Sequence, residues 1–208
     1  MMSWSLFPPN TREVQLDEKW SFVGKKQANC DPDCPQDQNK GDYWDYVAFD
    51  AEHRLVLCVI PGARNCENAA AIVYETQTRT DGAVPILLTS DEYSAYATAI
   101  LDTYGVAAET TATGRPIRQM TPEKKMSDDA GVNYATVHKQ REQGRVVSIE
   151  TRVVFGTEES VAQALSDSTA STTVNTSFVE RNHGTDRGRN ARKRRKTYEF
   201  SKDWRYHE

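Results

Sequence analysis

Three acidic side chains stand where a fold could make chemical use of them. Asp17 lies inside a segment, residues 14–23, that alternates polar and apolar residues with the period of a half-buried strand. Asp91 follows a short apolar run, residues 84–89, that reads as a buried strand near the centre of a sheet. Glu180 falls in the first turn of a helix beginning near Phe178. Carboxylates presented by neighbouring strands are good ligands for hard divalent cations. Ions held in this way can activate a nucleophile and stabilise a leaving oxygen during in-line phosphoryl displacement. Each residue also has a plainer role open to it. Asp17 can be exposed strand surface, Asp91 can cap the helix that follows, and Glu180 can favour its helix through the N-terminal dipole. The chain has 30 Asp and Glu residues, so position alone does not choose between these readings.

The elements that would position the carboxylates can be read in order. The first strand is followed by a polar loop, residues 24–41, and by strands at residues 43–50 and 54–60, together an antiparallel meander. Asn65 is a good N-cap for a helix running to about Arg79. The strand at 84–89 and a helix from Ser94 to Tyr104 come next. Residues 105–177 hold a polar region at 110–129, a strand-like segment at 134–138, a turn near Gly144 and an alternating run at 145–155. A short helix at 158–165 and a Ser/Thr-rich loop at 166–177 complete the region.

Bulk properties bound the function. A chain of 208 residues, 38% hydrophobic and 27% charged, suits one water-soluble domain. No apolar run reaches the roughly 20 residues of a membrane span, and the start lacks the pattern of a secretory signal. A cytoplasmic location is therefore expected. Four cysteines are too few for a disulfide scaffold. Cys30 and Cys34 would need two more ligands to hold zinc, which is not expected, and Cys58 reads as core packing. The net charge of −4 conceals a gradient: residues 181–208 carry ten Lys/Arg against four Asp/Glu, a net +6 that leaves −10 for the remainder. A basic end on an acidic body is either the footprint of a polyanion partner or a solvated tail.

The segment Leu16-Asp17-Glu18-Lys19-Trp20-Ser21-Phe22-Val23-Gly24 resembles the first catalytic block of the insertion-sequence-one family of bacterial transposases. Thr89-Ser90-Asp91-Glu92-Tyr93-Ser94-Ala95-Tyr96 resembles the second. Phe178-Val179-Glu180-Arg181-Asn182, followed by Arg187, Arg189, Arg192, Arg195-Lys196-Thr197 and Phe200-Ser201-Lys202, is similar to the family's C-terminal signature. The resemblance spans about residues 14–204, with a gap in the middle.

It implies an α/β fold of ribonuclease-H-like type, a mixed five-stranded sheet flanked by helices. It also implies metal-dependent cleavage of transposon ends and strand transfer to target DNA. By carry-over, Asp17, Asp91 and Glu180 are the catalytic triad and ligate two Mg2+ (or Mn2+) ions. Arg181, Asn182, Arg187, Arg189, Arg192, Arg195 and Lys196 are expected to bind DNA. On one continuous helix Arg181, Arg189, Arg192 and Lys196 would share a face against phosphates. His183, beside Glu180, is either a surface residue or a contact to the scissile phosphate. Trp20 is expected in the core, with Tyr93 and Trp204 as candidates for stacking on bases.

The 89 residues from Asp91 to Glu180 exceed the separation in compact members, so an insertion within 105–177 is expected, centred on the Gly144 hairpin. The domain reading is a leader at 1–13 and a catalytic domain at 14–208 whose basic helix and tail occupy 178–208. Family members carry a zinc-binding and helix-turn-helix region ahead of the first strand. Here a separate polypeptide is expected to recognise the ends, with a homo-oligomer as the active, nucleoid-associated form. The competing expectations are a nuclease of the same fold and a remnant that only binds DNA.

Overall fold

A computed structural model describes residues 10–107, 124–127, 131–194 and 196–207. Most of the leader at 1–13, most of the polar region at 110–129, and Arg195 lie outside the described residues. β1 (Glu13–Val23), β2 (Gly41–Asp50) and β3 (Leu55–Gly62) form the expected antiparallel meander. α1 (Cys66–Arg79) is capped as expected, the Asn65 side chain accepting from the Asn68 N–H at 3.0 Å. β4 (Leu87–Asp91) begins three residues later than the apolar run suggests. Pro85 has no N–H to give a ladder, so pairing starts beyond it and carries Asp91 into the strand's last position.

After α2 (Ser94–Tyr104) come a small antiparallel pair, β5 (Val106–Ala107) with β6 (Lys124–Lys125), and a hairpin of β7 (Tyr134–Glu142) and β8 (Arg145–Phe155). Gln143 and Gly144 turn that hairpin with φ of 47° and 80°, the pair of left-handed conformations a tight hairpin turn demands. α3 (Glu158–Asp167) and α4 (Ser177–Arg189) follow.

The main sheet runs β3-β2-β1-β4-β7-β8, with β1, β4 and β7 parallel to one another and the remaining pairings antiparallel. It has six strands, which corrects the expected five. The extra strand is the alternating run at 145–155, which pairs along the whole of β7 as an edge. The Gly144 hairpin is therefore part of the sheet.

Period-two alternation divides the core. Val14 and Leu16 point with Tyr46, Ala48 and Leu88 toward α1 and α2. On the opposite face Val47 and Phe49 meet Val179 of α4, and Leu87 meets Val161 and Ala164 of α3. Gln15, fully buried, accepts from the Phe178 and Val179 N–H groups at 3.1 Å. It thereby anchors the first turn of α4 on β1. The Ser/Thr-rich stretch before α4 is a loop, but a pinned one: buried Glu13 accepts from the hydroxyls of Ser168 and Ser171, and Thr89 donates to the Asn175 carbonyl at 3.0 Å.

The expected continuous basic helix is corrected. α4 ends at Arg189, where Asn190 leaves helical geometry and its side chain caps a short 3-10 turn, Ala191–Lys193. Lys196 is left-handed at φ 55°. Arg192 and Lys196 therefore do not share a helical face with Arg181 and Arg189. The tail instead folds back on the body. Gly24 N–H donates to the Ser201 carbonyl at 2.7 Å, and the buried His207 ring lies 3.0 Å from the Ser21 hydroxyl. Among the described residues no helix is long and apolar enough to cross a membrane.

Candidate metal centre

β1 and β4 pair only from Glu13↔Leu87 to Leu16↔Ser90 and then separate. Asp17 and Glu18, midway along β1, and Asp91, at the carboxyl end of β4, stand at that divergence, where open sheets form crevices. One carboxylate oxygen from each lies within 4.8 Å of the other two. Local geometry fixes the side chains: the Glu18 N–H donates to Asp17 Oδ1 at 2.9 Å, and the Tyr93 N–H donates to Asp91 Oδ1 at 3.2 Å. Asp91 thus braces the turn leading into α2, whose N-cap residue is Tyr93 and has no side-chain cap hydrogen bond.

Three carboxylates this close oppose one another's charge. Burial, then the Asp91 carboxylate, pushes Glu18 up to about 7, against the pull of Arg64, whose Nε lies 3.4 Å from Glu18 Oε1. Asp91 is raised by burial and then by Asp17. Among the described residues two buried polar atoms beside the cluster lack partners: the Tyr96 hydroxyl, whose ionisation burial and then the three carboxylates oppose, and His183 Nε2. A crowded oxygen set with a deficit of positive charge suits a hard divalent cation.

The raised Glu18 gives the first prediction. Its proton is held more tightly in the folded than in the unfolded chain. Its contribution is fully present below pH 4.5 and is lost as pH rises through about 7. In metal-free buffer Glu18→Gln should gain stability relative to the parent between pH 5 and pH 8, on the order of 2 kcal/mol. Urea unfolding at both pH values measures it, and equal differences at the two pH values would contradict it.

α4 packs on the face of the sheet that carries Val47 and Phe49. Val179, His183 and Asp186 form its inward stripe at helical spacing. Val179 packs on Val47 and Phe49, and His183 Nδ1 lies 3.2 Å from Asp17 Oδ2. Asp186 is paired with the Lys19 ammonium. Glu180, one position round from Val179, points aside instead. Its carboxylate pairs with Lys139 of β7 and accepts from the Thr176 hydroxyl at 2.7 Å. The structure thus joins Asp17 to Asp91 and sets Glu180 at the rim. Lys139 links the two, since its charge also favours ionised Asp91. Glu18 is the neighbour that sequence reasoning did not place, and His183, read as a surface residue or a phosphate contact, is buried against Asp17. The i, i+4 spacing of Val179 and His183 was the available signal for that burial.

The expected DNA-binding residues separate into two groups. Arg181 and Asn182 line a cavity with Phe49, Arg54 and Phe178, the Arg54 guanidinium lying 3.5 Å from the centre of the Phe178 ring. Arg187 reaches the Trp20 carbonyl at 3.4 Å, Arg189 is exposed, and Arg192 donates to the Tyr206 carbonyl at 3.0 Å. Lys196 is exposed beyond the helix.

Cys30 and Cys34 are free, half-buried thiols in the β1–β2 loop. Cys58 is buried, which pushes its thiol up to about 11. Comparison with known protein families finds no match, and comparison with curated proteins finds none either.

Proposed function

We propose that the chain is the catalytic domain of a DDE-type DNA transposase with a ribonuclease-H-like fold. In this reading it cuts transposon ends and transfers them to target DNA with Mg2+ or Mn2+. The observation that carries the proposal is the meeting of Asp17 and Asp91 where the parallel strands β1 and β4 part, with α4 laid across the same face. An antiparallel meander leading into a parallel β1–β4–β7 core is compatible with that fold. The sequence blocks around Asp17, Asp91 and Glu180 supply the resemblance to the insertion-sequence-one family.

Asp17 and Asp91 would hold the metal, with Glu18 beside them and Glu180 entering from α4 in place of its contact with Lys139. Bound divalent ions supply an activated water and charge stabilisation at the leaving oxygen. The remaining work falls to the chain. His183 fixes the orientation of Asp17, and Arg64 offsets the charge of Glu18. The cationic side chains of α4 and the tail hold phosphates without reading sequence. A DNA 3′ hydroxyl is the nucleophile for joining, so no side chain becomes covalently attached to DNA. Joining two ends calls for at least two protomers.

The test is an assay on element-end DNA, both intact and pre-cut, with Mg2+ or Mn2+. The proposal expects nicked and joined products, and loss of both in Glu180→Gln. Cutting without joining of pre-cut ends would reassign the protein as a nuclease. Salt-dependent binding with no turnover would reassign it as a DNA-binding remnant.

A further inference from the structure

Beyond Leu16 the side of β1 that faces β4 is released from pairing, while its other edge stays paired with β2 as far as Val23. The C-terminal tail passes beside this released stretch, and between them lies a cavity of about 310 Å³. Its walls are of two kinds. One is aromatic: half-buried Trp20 and Phe22, with ring centres 5.9 Å apart. The other is cationic: Lys26, Arg192, Arg194 and Lys196, all exposed.

Lys26 lies 5.7 Å from the centre of the Trp20 ring. Lys193 also borders the cavity, but its charge is spent on Asp45 at 2.7 Å. The other four cations form no ion pair among the described residues; Arg192 and Arg194 each give one hydrogen bond to a backbone carbonyl. The body of this chain is acidic, so a cluster of four cations around one slot stands apart from it. Four unbalanced cations around an aromatic slot therefore ask for an anion that carries a flat apolar ring.

We propose that this cavity holds a nucleotide of single-stranded DNA, with its base against Trp20 and its phosphates against Arg192, Arg194 and Lys196. Trp20 and Glu18 project from the same face of β1, roughly 7 Å apart along the strand. The slot therefore adjoins the carboxylate cluster, and the base it holds belongs to a nucleotide flanking the cut. Duplex DNA keeps its base faces stacked inside and offers none to an aromatic slot, so it gains the cations but not the ring. The inference rests on the DNA-acting reading above, yet binding alone tests it, without turnover.

The experiment measures anisotropy of a fluorescein-labelled 12-mer oligothymidylate and of a labelled 12-base-pair duplex, with the full chain in EDTA. Trp20→Leu should weaken oligothymidylate binding about 10-fold or more while changing duplex binding by less than about twofold. Trp20→Phe, which keeps a ring, should recover most of the loss. Arg194→Gln with Lys196→Gln, both at exposed sites that leave folding intact, should weaken both ligands and flatten the salt dependence. Three results would overturn the proposal. Trp20→Leu could bind oligothymidylate as tightly as the parent. The Leu and Phe variants could lose single strand and duplex equally. Free thymidine monophosphate could compete as well as the 12-mer, which would make the slot a free-nucleotide site. Because EDTA removes metal-dependent cutting, a failed slot and a failed catalytic centre give different results: the first leaves cleavage intact, and the second leaves strand binding intact.

Discussion

Asp17→Asn and Asp91→Asn should each lower metal-dependent DNA cleavage by more than about 100-fold, since loss of residues that merely support metal ligands already costs about 10–100-fold. Asn keeps the shape of the side chain and an oxygen for the hydrogen bonds from the Glu18 and Tyr93 N–H groups. The fold should therefore persist. What disappears is the negative charge. The affinity of the site for a divalent cation falls, and so does the like-charge pressure that, after burial, holds Glu18 near 7. Each variant should bind Mn2+ more weakly and titrate Glu18 closer to its ordinary range. Wild-type rates in both variants, with unchanged Mn2+ affinity, would remove these residues from the mechanism.

The second large effect concerns stability. Asp45→Asn should destabilise the chain by about 3–5 kcal/mol, the usual cost of breaking a buried ion pair from one side. Asp45 is 1% exposed and takes two ammonium groups, Lys193 at 2.7 Å and Lys19 at 3.1 Å. Burial opposes its charge, but Lys193 and then Lys19 outweigh that and hold the carboxyl below its ordinary range. An amide there leaves Lys193 with no carboxylate. Lys19 keeps only Asp186. Because Lys193 lies in the tail and Asp45 in β2, the tail should also loosen and become open to proteolysis after α4. Urea unfolding measures the first effect and limited digestion the second. A loss below about 1 kcal/mol, the range of exposed pairs, would mean that the network is effectively solvated. Adding Lys193→Met to Asp45→Asn should recover part of the stability, because it removes one of the unpaired charges.

Much of the scaffold was legible in the residues. The alternation through residues 14–23, the Asn65 cap and the apolar run before Asp91 each became the element they suggested, because local pattern and burial agree there. The departures have physical causes of another kind. Whether Glu180 faces Asp17 depends on how α4 is seated, and that is set by Gln15 capping its first turn and by Val179 packing on Val47 and Phe49. No local pattern encodes this rotation. Glu18 alternates with Asp17 and should leave its face of the sheet. It nevertheless lies within 4.8 Å of both carboxylates, just beyond the point where β1 and β4 part. Trp20 read as core because large aromatic side chains usually pack, whereas β1 outruns β4 and a cavity lies beside the half-buried ring. The basic tail read as helix from charge spacing alone. Asn190 ends that helix, and the ion pair of Lys193 with Asp45 brings the chain back to the sheet.

The carboxylate cluster makes the most direct demand on experiment. Crystals grown with Mn2+ and measured for anomalous scattering should show a peak bridging the Asp17 and Asp91 carboxylates. The peak should vanish in Asp91→Asn crystals grown the same way. Manganese bound elsewhere with none at this divergence of β1 and β4, or the two carboxylates turned away from each other in its presence, would contradict a metal-dependent centre in this protein.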